Sequence, residues 1–328
     1  MSDGRETRGD FGLVVAVLIP CFNEEVAIGK VVADFRASLP NATVFVYDNN
    51  SRDQTTAVAQ AAGAIVRSEP LQGKGHVVRR MFADVQADAY VLVDGDDTYD
   101  ADAAPEMVRL LVENHLDMVN AVRVTDNDAA YRLGHRLGNQ VLTGLVRWIF
   151  GNRISDVLSG YRVFSRRFVK SFPALATGFE TEPEFSIHAL ELSMPTQEVQ
   201  TAYRARPEGS VSKLRTYSDG LRVLRTIMVL VKEERPLQFF ALISLVLLVA
   251  GLGFGTPVVV DFVHTGLVPR LPTALLATGL ALLSFLSLVC GLVLDSVARG
   301  RKEFKRLAYL AIPGVGARDS PAGLRGRW

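Results

Sequence analysis

The chain is poor in cysteine: among 328 residues it has only Cys21 and Cys290. They lie far apart, in segments of different character, which argues against a disulfide framework and suits a reducing compartment. An excess of charge of one sign is also missing, since 36 Lys and Arg stand against 35 Asp and Glu. A net charge of +1 supplies no global field for nucleic acid, so nucleic acid is not expected as a partner. No apolar stretch precedes Phe11, and residues 1–12 read as a flexible polar arm rather than a secretory signal. Internal repeats and low-complexity tracts are absent too. The length suits one large domain with an appendage, or two modest domains.

Charge disappears altogether in two places. No charged residue occurs from Pro236 to Val260, nor from Leu271 to Leu294. Each run exceeds the roughly 20 apolar residues that cross a hydrocarbon core. Transmembrane helices are therefore predicted over 236–260 and 271–295, a pair of buried core helices being the alternative. Lys232 and Arg235 precede the first run. Arg299, Arg301, Lys302, Lys305 and Arg306 follow the second, and the intervening loop holds only Asp261, His264 and Arg270. This bias predicts a cell-membrane protein with two spans, its catalytic domain and both termini in the cytoplasm. The Gly251-Leu-Gly253-Phe-Gly255 run carries a GxxxG spacing, compatible with close helix packing or with a kinked, flexible helix. Residues 217–235 repeat apolar positions at Leu221, Leu224, Ile227, Met228 and Val231 with Arg222, Arg225 and Lys232 between them. That pattern reads as an interfacial amphipathic helix, or as an ordinary helix packed on the domain. Residues 296–328 form a basic cytoplasmic tail.

Ahead of these segments the chain alternates. Strand-like runs at 13–19, 43–48, 64–67, 89–94 and 117–123 are separated by helical spacing at 25–38, 53–62, 74–86 and 103–114. Such alternation predicts an α/β domain over 13–216, a mostly parallel sheet with helices on both faces. Ligands of such sheets bind at the carboxyl ends of the strands. Polar groups gather there: Pro20-Cys-Phe-Asn23-Glu24-Glu25 after the first strand, Asp48-Asn49-Asn50-Ser51-Arg-Asp53 after the second, and Asp94-Gly-Asp96-Asp97-Thr98 after the fourth. Asp53 or Ser51 alone would be an ordinary helix cap. Three acids within four residues repel one another unless a cation compensates, and hard oxygen donors suit Mg2+ or Mn2+. A solvated acidic loop is the alternative, and the place at a strand end favours metal. Gly73-Lys74-Gly75 opens a helix where backbone N–H groups and Lys74 favour an anion, or it is a turn with a solvated lysine. It is not a Walker sequence.

VLIPCFNEE, VYDNNSRDQT, QGKGHVVRRMF and VLVDGDDTYD, in this order and spacing, resemble glycosyltransferase family two with the GT-A fold. DVLSGYRVFSRR (156–167) and RPEGSVSKL (206–214) resemble its dolichyl-phosphate mannose synthase-like branch of polyprenyl-phosphate sugar transferases, whose members carry a C-terminal membrane hairpin. The resemblance covers residues 13–235 and extends to the hairpin. It implies inverting, metal-dependent transfer from a GDP- or UDP-linked sugar to a polyprenyl phosphate of the undecaprenyl or dolichyl type, a hexosyltransferase of EC class 2.4. It implies that Pro20, Asn23, Glu24, Asp48, Asn49, Ser51, Lys74 and Asp94 bind the nucleotide-sugar, with Asp94 and Asp96 on the metal. Asn49 and Asn50 depart from the family's usual acid and glycine, and Thr98 stands where the mannose enzymes usually have Gln.

A phosphate monoester is largely dianionic at neutral pH and needs no general base to act as nucleophile. The protein must instead hold two anions together, and arginines do this by paired hydrogen bonds. Arg132, Arg136 and Arg147, with Arg162 beyond them, are the candidates for the acceptor phosphate, joined by Ser159 and Lys213. Catalytic roles are expected for Asp96, Asp156, Arg136 and Arg162; Asp156 would otherwise orient an arginine or cap a helix. His135 is a phosphate ligand or a structural histidine. Two other readings are a glycosyltransferase acting on a polysaccharide or another glycolipid, and a non-catalytic membrane scaffold that senses nucleotide-sugars. No QxxRW segment of the processive enzymes is present. The partners expected are the donor, the lipid phosphate and the bilayer, with a homo-oligomer left open.

Overall fold

The computed structural model describes residues 12–124, 154–178, 180–207 and 235–315, with positions 144, 229, 232 and 233 besides. The chain divides into two units, Met1–Gly220 with Lys305–Trp328, and Leu221–Phe304.

In the first unit the apolar runs become strands. Val15–Cys21 (β1), Thr43–Asp48 (β2), Ile65–Ser68 (β3) and Ala89–Leu92 (β4) alternate with helices Ile28–Ser38 (α1), Thr55–Ala61 (α2) and Lys74–Asp84 (α3). A short 3-10 turn and helix Ala104–Glu113 (α4) lead to Met118–Val124 (β5). Then come Arg162–Ser165 (β6), Arg166–Ser171 (α5), Thr181–Glu191 (α6) and Thr196–Ala202 (β7). The sheet runs β3-β2-β1-β4-β6-β5-β7. Every described pairing is parallel except those of β6, which is antiparallel to both β4 and β5. The sheet is thus mostly parallel, with one reversed strand inside it.

Alternation along β1 sends Val15, Val17, Ile19 and Cys21 to a layer shared with Val31 and Phe35 of α1 and Met107, Val108 and Leu111 of α4. The opposite face is aromatic. Phe164 stacks on Phe168 at 4.4 Å and meets Phe185 at 4.9 Å, and Phe82 reaches Phe164 edge-on at 6.0 Å. With both faces covered, the central strands β1 and β4 are apolar throughout rather than alternating with polar residues.

The chain from Lys305 onward belongs to this first unit. Asp117, fully buried at the start of β5, accepts hydrogen bonds from Ser165 Oγ (2.7 Å), Tyr309 OH (2.8 Å) and Arg167 Nε. Lys305 Nζ pairs with Glu191 at 2.7 Å, and Val315 joins the core. Burial and the bond to Asp117 push the Tyr309 phenol up to about 12.

The second unit contains most of two long helices, Pro236–Thr265 (α7) and Leu271–Leu310 (α8), both long and apolar enough to cross a membrane. Apart from Pro236 and Val258, the buried residues of the two helices are small or polar: Ser244, Gly251, Ala277, Ser284 and Gly291. Ser284 Oγ donates to the Ser244 carbonyl (2.9 Å), and Ser287 Oγ to that of Phe240 (3.0 Å). Leu242, Val246, Val249, Leu252, Leu282 and Phe285 are exposed. Of the three glycines at 251, 253 and 255, the outer two face α8: a Cβ at Gly251 would lie 3.3 Å from the Ala277 carbonyl, and one at Gly255 3.4 Å from the Ala277 Cβ. Gly253 faces open space. The GxxxG spacing therefore serves close packing. Residues 217–228, most of the expected interfacial helix, lie outside the described residues.

His188 on α6 is buried against Phe168 and Phe172. Its Nε2 meets Ser171 Oγ at 3.1 Å, and its Nδ1 has no hydrogen-bond partner among the described residues. Burial, aided by the Lys305 charge, lowers its pKa to about 3. The unfolded chain takes up this proton near pH 6.5 and the folded chain only near 3, so acid favours unfolding between those values. This contribution to stability is complete above pH 6.5 and is lost as pH falls, by about 1.4 kcal/mol per unit once well below it. The melting temperature of His188→Gln should therefore fall less steeply than that of the parent between pH 6.5 and 4.5. Equal slopes would remove His188 from the acid response.

Candidate active site

Because β2, β1 and β4 are adjacent and parallel, their carboxyl ends share one edge. Backbone in the left-handed region turns the chain there at Asn23 (φ 52°), Asn50 (φ 64°) and Asp97 (φ 56°), residue types that tolerate it. The first two loops are stitched together. Ser51 Oγ accepts from Asn23 N (2.8 Å), Asn23 Oδ1 from Arg52 N (2.8 Å), and Thr55 Oγ1 from the buried Glu24's N–H (2.8 Å). The buried carboxylate of Asp48 accepts from Ser51 N at 3.2 Å. Pro20 is half-buried at the end of β1. The structure therefore brings Pro20, Asn23, Glu24, Asp48 and Ser51 to one wall.

Asn49 works differently from its expected part in nucleotide binding. Its Nδ2 donates to the carbonyls of Glu69 (2.9 Å) and Leu71 (2.7 Å), while its Oδ1 accepts from Gly73 N (2.7 Å) and Gln72 Nε2 (3.2 Å). An acid in its place would have no hydrogen for those carbonyls, which accounts for the amide. The side chain fixes the loop that carries Lys74. That loop lies beneath another: a Cβ on Gly73 would come 2.2 Å from the Thr177 carbonyl, and one on Gly75 2.0 Å from that of Ala176. Gly73, with φ 133°, also needs the freedom only glycine has. The glycines of this motif admit crossing backbone rather than an anion.

Lys74 is spent on two acids. Its Nζ lies 2.5 Å from both Asp94 Oδ1 and Glu182 Oε1. Burial opposes its charge, yet the two carboxylates hold its pKa above the ordinary lysine value. Asp96 is buried, accepts from Thr98 Oγ1 at 2.6 Å, and pairs with Arg206 at 2.6 Å. Burial, then the neighbouring Asp94 charge, raises its pKa. Asp97 turns aside to Lys30 (2.8 Å). Of the three clustered acids, two thus face the crevice, each matched to a cation. Among the described residues no cluster of three or more His, Cys, Asp or Glu side chains is arranged to hold a metal. Two carboxylates nonetheless fit Mg2+ or Mn2+, which usually keep several waters and seldom use an all-protein cage.

The DVLSGYR segment supports this pair from below. Asp156 is gripped by Arg123, Nε to Oδ2 at 2.7 Å and Nη2 to Oδ1 at 2.8 Å. Burial would raise its pKa, but Arg123 holds it below the usual carboxylate value. Of the roles open to Asp156, the structure shows that of orienting an arginine. Ser159 is buried, its hydroxyl bonded within its own turn to Tyr161. Gly160 leaves room for Asp94, whose Oδ2 would lie 2.1 Å from a Cβ placed there.

Arg162 corrects the sequence-based expectation. It has no exposed surface; its guanidinium donates to the carbonyls of Ser159 (3.1 Å) and Val157 (2.7 Å) and to Ser186 Oγ (2.9 Å), and lies over the Phe185 ring. Burial lowers its pKa to about 10. It braces the turn below Asp94 and offers nothing to a lipid phosphate, and Ser159 is enclosed likewise. Arg132, His135, Arg136, Arg147 and Lys213 lie outside the described residues. Sequence reasoning missed Arg123, Glu182 and Arg206; the acid-rich ETEPE opening α6 and the arginine heading RPEGS were the available signals.

A profile of the family described as Glycosyl transferase family 2 matches residues 16–172. The glycosyltransferase AglJ of Haloferax volcanii is 32% identical over 251 residues, 76% of this chain and 82% of that protein. The chain belongs to glycosyl transferase family 2. This family 2 glycosyltransferase is also 27% identical over 222 residues to the dolichyl-phosphate hexose transferase of the same organism, covering 67% of this chain and 95% of the relative. Glucosyl-3-phosphoglycerate synthase from Mycobacterium tuberculosis, solved with phosphoglyceric acid, matches with a TM-score of 0.56 at 24% identity, over 67% of this chain and 80% of that one. The same enzyme solved with Mn2+, UDP and phosphoglyceric acid gives 0.56 at 22%, over 67% and 78%. These likenesses establish the GT-A fold.

Asn49→Asp should destabilise the protein by about 1–3 kcal/mol, because two carbonyls lose their donor and face a carboxylate. Thermal unfolding measures this, and an unchanged midpoint would show that the loop does not depend on the amide.

Proposed function

We propose that this family 2 glycosyltransferase transfers a hexose, with inversion, from a nucleotide-sugar to a polyprenyl phosphate at a membrane surface. The observation that carries the reading is the half-buried Asp94 with the buried Asp96, at the tip of β4 beside the tips of β1 and β2. Pro20, Asn23, Glu24, Asp48 and Ser51 form the nucleotide wall. Asp94 and Asp96 would hold Mg2+ or Mn2+, and the ion would supply positive charge to the departing diphosphate. Lys74, held by Asp94 and Glu182, keeps positive charge beside the donor, and Arg206 keeps it beside Asp96.

The acceptor needs cations and little else. Val124, ending β5, and Asp156, gripped by Arg123, bracket residues 125–153 and both stand at the crevice end of the sheet. Arg132, Arg136 and Arg147, which lie between them in the sequence, are assigned to the lipid phosphate together with Lys213. Similarity to a dolichyl-phosphate hexose transferase supports the same acceptor class. The hairpin supports the location. Its large apolar side chains point outward and its small and polar ones inward, the reverse of a water-soluble core. The flanking basic residues support a cytoplasmic catalytic unit.

Purified protein given polyprenyl phosphate, Mg2+ or Mn2+, and GDP-mannose, UDP-glucose or UDP-N-acetylhexosamine in turn should put label into an organic-extractable glycolipid with one of the donors. Asp94→Asn and Asp96→Asn should each lower that transfer by about a hundredfold or more while leaving the melting temperature near the parent's. Undiminished turnover in either variant would refute the site, and label passing only into polysaccharide would refute the acceptor.

A further inference from the structure

A cavity of about 620 Å³ lies at the other end of the sheet from the crevice, between the end of α3, α5 and the segment Ala311–Pro313. The strand register separates the two. Ser165 at the end of β6 pairs with Ala89 at the start of β4, and Arg166 N donates to the Asp88 carbonyl at 3.2 Å. Asp94 and Asp96 follow the opposite end of β4. The cavity is therefore no part of the donor site.

Its lining is of two kinds. Phe172, Ile312 and Pro313 are apolar; Arg79, Arg166 and Lys170 are cationic. Many cations elsewhere in this unit are matched to acids, as at Lys30, Lys74, Arg109, Arg123, Arg167 and Lys305, while Arg36 and the enclosed Arg162 donate to neutral oxygens. The three at the cavity have only neutral partners among the described residues. Arg79 meets the His76 ring, Arg166 Nη2 reaches Gln86 Oε1 at 3.4 Å, and Lys170 donates to the carbonyls of Phe82 and Val85. Capping the last turn of α3 accounts for Lys170 but not for the two arginines.

We propose that this cavity is a second ligand site, taking a phosphate ester that carries an apolar portion. Two guanidinium forks and an ammonium match the oxygens and charge of a phosphate. The volume falls within the ~300–1,000 Å³ of small-molecule pockets, whose walls are apolar around a few fixed polar groups. Burial and the Arg166 charge lower the Lys170 pKa, the mark of a cation cluster lacking its counter-charge. An anionic phospholipid headgroup and a soluble phosphomonoester share this chemistry.

The test uses the full chain in nanodiscs of phosphatidylcholine, with phosphatidylglycerol added to the discs or n-hexyl phosphate added to the buffer. Melting temperature and hydrogen exchange over residues 166–174 are read for the parent and for Arg79→Gln/Arg166→Gln. Protection and a raised midpoint with phosphatidylglycerol alone, weakened tenfold or more in the double variant, support a lipid ligand. The same response to n-hexyl phosphate supports a soluble one. Response to neither ligand, or equal response in parent and variant, overturns the site. Should the double variant melt early in phosphatidylcholine, Arg79→Gln alone, at an exposed position, carries the same comparison.

Discussion

Negative charge concentrated at the strand ends must be compensated, and the design of the catalytic unit follows from that constraint. Asp94, half-buried, and Asp96, buried, stand two residues apart where uncompensated charge is costly. Lys74 answers Asp94 and is held in place by Glu182; Arg206 answers Asp96. Each cation comes from a different part of the chain, so the site forms only when α3, α6 and the chain after β7 have all found the β4 tip. A cluster of this kind adds little net stability, because desolvation consumes much of the attraction, but it makes the wrong arrangement expensive.

The motifs that look chemical in the sequence divide into those that face the crevice and those that hold it. Gly73, Gly75 and Gly160 are small because backbone or a carboxylate occupies the space of a side chain. Asn49 is an amide because it must donate and accept at once. Arg162 has the residue type and the motif of a phosphate ligand, yet sits among aromatic rings with its donors on carbonyls. Residue type identifies what a group can bind; only the strand register and face decide what it meets.

The same division explains what was legible beforehand. β1, β2 and β4 announced themselves as apolar runs ending in acids, and their adjacency, expected from strand–helix alternation, is what joins the three polar loops. The later elements lacked such signals. β6 is four residues long and begins with Arg162. α6 turns Glu182, His188 and Glu191 inward, which erases its amphipathic period. β7 reads TQEVQTA and owes its form to pairing with β5 along seven residues. Lys74 was visible, but its two partners come from β4 and from α6, more than a hundred residues later in the second case, and no local pattern encodes that meeting. In the hairpin the apolar length was plain, whereas the serine contacts that register one helix on the other depend on which face each residue takes.

The return of the chain at Lys305 makes the catalytic unit a discontinuous domain, with the hairpin as its insert. Stopping synthesis at Arg235 would leave Asp117 without the Tyr309 phenol, Glu191 without the Lys305 ammonium, and the core without Val315. Folding of the soluble portion is thereby tied to completion of the apolar portion, so a nascent polypeptide reaches its finished catalytic half only after both long helices have been made.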